Sequence, residues 1–199
     1  MMKKLLIFFC LFLITQPCFA ECVDQEQTTA DTGNMTEGDS AGTEYRQGQS
    51  IQLTGTRTIT AVEVSEGDAA SGSPVGNWTL RIETADGNGR ASGTLADANA
   101  SIVVSPPGTN TVVKGTFAST FSLSASTTYW IVIQCDNQAN GSRWFIRYNS
   151  AGGYANGARS QSVNGVWTEP GALDIYFKLY ASSCVDPAAA PSRQVIVIE

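Results

Sequence analysis

Downstream of residue 20 the sequence alternates apolar and polar residues with a period of two in short runs, and no segment carries a helical period. In NWTLRIET, Trp78, Leu80 and Ile82 fall on one side while Thr79, Arg81 and Glu83 fall on the other. Successive side chains of a strand point to opposite faces, so this run is a strand with one buried face. TTYWIVIQC sets Tyr129, Ile131, Ile133 and Cys135 on one face and Trp130, Val132 and Gln134 on the other. With apolar residues on both faces, it reads as a central strand. Further strands are expected in GQSIQLT, RTITAVEVSE, ASIVVS, TVVKGTFASTFSLS, RWFIRYN and LDIYFKLYA, separated by turn-rich pieces such as ADGNGRASG and Pro106-Pro107-Gly108. About eight strands, closely spaced, predict an all-β fold: a two-sheet antiparallel β-sandwich, jelly-roll-like, with no substantial helix after the leader.

The leader is MMKK followed by LLIFFCLFLI and TQPCFA, which reads as a signal peptide over residues 1–20 with Sec cleavage after Ala20. The apolar run is shorter than the ~20 residues a bilayer span needs, so no membrane insertion is expected. Glu21 before Cys22 and Pro17 before Cys18 do not fit a lipidation signal, which wants a small residue there. Residues 21–44 form a polar, acidic, loosely ordered lead-in, 45–184 the sandwich domain, and 185–199 a Pro/Ala-rich spacer with an apolar tail. The expected location is extracellular or at the cell surface, with the periplasm as the alternative.

Cleavage removes Lys3 and Lys4 and leaves ten Lys and Arg against eighteen Asp and Glu, a formal charge of −8. Nucleic-acid binding requires clustered cations and is disfavoured, as is adsorption to an anionic membrane. The chain contains no His, which removes Ser-His-Asp and Cys-His catalysis and His-ligated zinc. No cofactor is expected. Asp86 and Asn88 alternate as in a calcium loop, but no closing Glu follows, and a plain turn explains them.

Three cysteines remain after cleavage: Cys22, Cys135 and Cys184. Neighbouring first and last strands would let Cys22 and Cys184 form a disulfide that clasps the domain, with Cys135 a small buried hydrophobe. The competing pairing is Cys135 with Cys184, leaving Cys22 for a partner.

GQSIQL, ITAVEV, NWTLRIET, GRASGTL, FSLSASTTYWIVI, Tyr154 with Gly157, Trp167 and LDIYFKLY follow one another in an order that resembles the choice-of-anchor R type of bacterial extracellular β-sandwich domain. The resemblance spans Tyr45 to Ala181 and implies a secreted or surface-exposed, jelly-roll-like module held by a variable anchor. It implies no defined activity and no set of functional residues. VDPAAAPSRQVIVIE, after Cys184, carries no sorting motif or stop-transfer tail, so a freely secreted chain or a subunit of something larger is expected.

Two groups of residues are candidates for ligand binding. On LDIYFKLYA, alternation makes Leu173, Ile175, Phe177 and Leu179 the core face and turns Asp174, Tyr176, Lys178 and Tyr180 away from it. Together with Arg147, the residues Asp174, Tyr176 and Lys178 would make a sugar platform, aromatic rings covering a pyranose face and charged groups meeting its hydroxyls. The plain alternative is a solvated face with cross-strand Arg/Asp pairing. The second group is Tyr154 and Trp167, large aromatics in AGGYANGA and NGVWTEPG, loop sequence where a core role is not automatic. Their alternative is a plug over the open end of the sandwich. Trp78 and Trp144 read as core.

The leading expectation is a secreted non-catalytic binding module for a glycan or cell-surface polymer. The alternative is a structural or adhesive subunit acting by protein–protein contact, with Val195 to Ile198 as a strand offered to a partner or packed on its own sheet. A small polysaccharide-degrading enzyme would have to use paired carboxylates, Glu169 and Asp174 being the candidates, and no motif supports it.

Overall fold

The computed structural model describes residues 21–30, 33–40, 43–67, 76–108, 110–135, 144–168 and 172–184. The leader, Glu169 and the tail with Val195 to Ile198 lie outside these residues.

Fourteen strands run through the described residues, with no helix among them. The first seven are β1 (Cys22–Gln27), β2 (Gly33–Ser40), β3 (Thr43–Gln52), β4 (Arg57–Ser65), β5 (Trp78–Ala85), β6 (Ala91–Leu95) and β7 (Ser101–Val104). The rest are β8 (Val112–Leu123), β9 (Thr128–Cys135), β10 (Trp144–Asn149), β11 (Arg159–Val163), β12 (Val166–Thr168), β13 (Asp174–Ile175) and β14 (Phe177–Ala181). A four-stranded sheet has the order β1-β14-β4-β8. The larger sheet runs β13-β10-β2-β3-β9-β5-β6, carries β7 on β5 and the β11–β12 hairpin on β3, and curls into a half-barrel. Every pairing between these strands is antiparallel. The all-β, sandwich-like architecture follows the alternation read from the sequence.

The main core lies between the sheets. Val62 and Val64 of β4 and Phe177 and Leu179 of β14 meet Trp78, Leu80 and Ile82 of β5 and Tyr129, Ile131 and Ile133 of β9, all buried. Each such apolar side chain removed from water contributes roughly 1.5–3 kcal/mol. β9 is central, flanked by β3 and β5. Its second apolar face, Trp130 and Val132, packs with Ala91 and Trp167 in a small separate cluster.

The strand count exceeds the expected eight for a physical reason. β1 (CVDQEQ), β2 (GNMTEGDS), β6 (ASGTL) and β11 (RSQSV) lack an apolar alternation, and their structure comes from pairing with a patterned neighbour. Residues 21–44, expected to be loosely ordered, therefore supply two strands.

β1 is fixed at the sheet edge by more than its ladder to β14. Cys22 and Cys184 form a disulfide with a Cα–Cα distance of 6.0 Å, and buried Cys135 takes no part in it. Asp24 forms a buried ion pair with Arg57 at the start of β4. Such a disulfide is compatible with an oxidising extracellular or periplasmic location. Among the described residues no helix is long and apolar enough to cross a membrane.

Candidate functional site

The six residues singled out for ligand binding fall in three places. Tyr154 and Asp174 come together. The Tyr154 ring stands edge-on to Phe177, centroids 5.1 Å apart at 89°. Its hydroxyl donates to Gln25 Oε1 at 2.8 Å, and its backbone N–H donates to Asp174 Oδ2 at 2.9 Å. Burial pushes the phenol pKa up to about 12. Tyr154 thus packs against the main core.

Asp174 is a correction to the platform. It is 3% exposed and accepts from Gln49 Nε2 at 3.1 Å as well as from Tyr154. Gln49 Oε1 in turn accepts from the Ile175 N–H at 2.9 Å. The reason is topological. LDIYFKLYA is two strands, β13 pairing with β10 in the larger sheet and β14 pairing with β1 and β4 in the smaller. The chain changes sheets at Tyr176, whose N–H donates to the Arg147 carbonyl at 3.0 Å. This crossing breaks the alternation, and Asp174 and Ile175 are both buried.

Tyr176 remains half-exposed, on the outer side of the smaller sheet. There Glu63 gathers the neighbouring donors: Tyr180 hydroxyl at 3.0 Å, Tyr176 hydroxyl at 3.4 Å and Lys178 Nζ at 3.4 Å. Burial alone would lower the Lys178 pKa, yet Glu63 beside it holds it above the ordinary lysine range. Lys114 Nζ lies 3.7 Å from the Tyr180 ring centroid and covers that aromatic face. The polar groups of this surface are thus engaged with one another through Glu63, and not as the Arg/Asp pairing of the plain alternative. Arg147 is brought beside Tyr176 by the backbone, and its buried Nε has no hydrogen-bond partner among the described residues.

Trp167 sits elsewhere. It lies on β12, in a hairpin whose turn, Asn164-Gly165, has φ of 50° and 81°. Two positive φ values in a two-residue turn suit the twist of a hairpin and favour Asn-Gly. Asn164 also ties the turn to β3, its Oδ1 accepting from the Glu44 N–H at 2.8 Å. β11 pairs with the free side of β3, and this lays the Trp167 ring over Gly48. A Cβ at Gly48 would stand 3.0 Å from the Trp167 ring, so glycine permits the contact. Trp130 lies beneath, centroids 6.1 Å apart at 36°, its indole N–H donating to the Gly89 carbonyl at 3.1 Å. The Arg46 Nε–Glu44 Oε1 ion pair, 2.7 Å, lies on the adjoining part of β3. Val166 is 65% exposed at the hairpin tip. The result is a half-exposed indole on a backbone shelf, outside the main core. The hairpin was readable from Asn164-Gly165 between Val163 and Val166; the glycine-rich surroundings made it look like loop.

Among the described residues no group of three His, Cys, Asp or Glu could hold a metal ion. Glu169, the other half of the carboxylate pair, lies outside the described residues. No protein-family model matches the chain, and no curated protein matches it.

Proposed function

We propose that the protein is a secreted, non-catalytic binding module of the choice-of-anchor R kind, which holds a glycan or cell-surface polymer on the Trp167 shelf. The observation that carries this reading is the placement of Trp167. It belongs to the small outer cluster and packs on a glycine, so its ring is supported from below and only partly buried. A supported planar ring can cover the apolar face of a pyranose without rearranging, and the Arg46–Glu44 pair supplies donors and acceptors for hydroxyls. Tyr154, by contrast, is already engaged with Phe177 and Gln25. A glycan array probed with the exported, oxidised protein tests the reading: specific binding that Trp167→Ala removes supports it, and silence across the array removes it.

A second reading has its own observation. Val166 stands beside Trp167 and exposes an apolar knob, which suits contact with another protein in an adhesive or structural subunit. Array silence together with a stable complex lost in Val166→Asp would favour that reading.

A further inference from the structure

Arg159 is a buried charge that no carboxylate balances among the described residues. β11 sets Arg159 opposite Gln49 and Gln161 opposite Gln47 on β3. Ile51, two positions beyond Gln49, is in the main core, so alternation turns Gln49, Gln47 and Tyr45 toward the core-facing side of the curled sheet. Arg159 follows them and is 6% exposed. Its Nε and Nη2 both donate to one acceptor, Gln47 Oε1, at 3.1 and 2.7 Å.

A neutral amide satisfies hydrogen bonds but cancels no charge. Arg46, Arg57 and Arg81 each hold a carboxylate, on Glu44, Asp24 and Glu83 respectively. Arg159 has no carboxylate within ion-pair distance among the described residues. Burial lowers its pKa to about 10, with Tyr148 the group that opposes the shift. Charged groups are seldom buried without an opposite partner, because the lost hydration is not recovered. Nε and Nη2 are taken by Gln47, and the Nη1 group makes no hydrogen bond to a described residue. Tyr45, Tyr148 and Gln161, turned to the same side by alternation, are only half-buried.

We propose that Arg159, Gln47 and Tyr148 form a recognition site for an oxyanion, a carboxylate or a sulfate, on the core-facing side of the larger sheet. Gln47 holds one edge of the guanidinium fork and leaves Nη1 to meet the incoming group. The site is on the opposite side of the sheet from the Trp167 shelf and does not depend on it.

Isothermal titration of the exported, oxidised protein with sodium glucuronate, sodium sulfate and glucose, at ionic strength held constant with chloride, tests this. Saturable binding of glucuronate or sulfate but not glucose is expected, and the titrant that binds identifies the source of the oxyanion. Gln47→Glu places a carboxylate on Arg159 from within. It should weaken anion binding at least tenfold with the melting temperature unchanged or raised, and Arg159→Gln should also abolish binding. Should Arg159→Gln fail to fold, Gln47→Glu carries the test. The proposal is overturned if neither anion binds more tightly than glucose, or if Gln47→Glu binds within twofold of the native protein.

Discussion

The Tyr154 hydroxyl and the Gln25 side chain are joined by a 2.8 Å hydrogen bond across 129 positions of sequence, tying the connection between β10 and β11 to the first strand. The same ring packs edge-on against Phe177 in the core. Tyr154→Ala should therefore lower stability by about 2–4 kcal/mol, a large-to-small change at a partly buried site, and Tyr154→Phe by about 1 kcal/mol, one hydrogen bond. Thermal denaturation checks both. An unchanged melting temperature in the alanine variant would return Tyr154 to the list of contact residues.

The same tyrosine gives an alkaline signature. Its folded pKa is raised from 10 to about 12 by burial, so the neutral form is favoured in the native state. The stabilisation is fully present below pH 10 and is lost as pH rises toward 12. Spectrophotometric titration should show a late tyrosinate step that Tyr154→Phe lacks. Stability should fall over that pH window more steeply in the native protein than in the variant.

Oxidised protein should contain Cys22–Cys184 and a Cys135 that alkylates only after unfolding, as peptide mapping would show. Replacing both bridging cysteines with serine should lower stability by up to on the order of 5 kcal/mol, the chain-entropy value for so long a loop. A map that placed Cys135 in a disulfide would contradict the pairing.

Gly48→Val should displace Trp167 without touching the residue itself. The added Cβ falls 3.0 Å from that ring and 3.1 Å from Trp130, both in the small outer cluster. Tryptophan fluorescence should shift to longer wavelength, and glycan affinity should drop by ~1–3 kcal/mol, the scale of a truncated aromatic contact. Affinity equal to the native protein's, despite the spectral shift, would show that the shelf is not the binding surface.

β4, β5, β8 and β9 were legible in the sequence because burial of one or both faces writes itself into alternation. β1 and β2 were not, since polar segments take their conformation from the strands beside them. Asp174 was misplaced for a related reason. Alternation predicts facing only within one strand, and no local signal marks Tyr176 as the point where the chain changes sheets. Trp167 was found as an aromatic, but its shelf depends on Gly48, more than a hundred residues upstream. Arg159, inside ANGARSQS, has nothing around it to announce burial, and only the pairing of β11 with β3 turns it inward.

The clasp between Cys22 and Cys184 also decides how the molecule bears load. A pull applied upstream of Cys22 and downstream of Cys184 passes through the disulfide itself, between Cα atoms 6.0 Å apart. The strands enclosed between them lie off the line of tension and are shielded from it. At a surface exposed to shear, the domain would stay folded for as long as that bond stayed oxidised, and a reductant would act as a mechanical release.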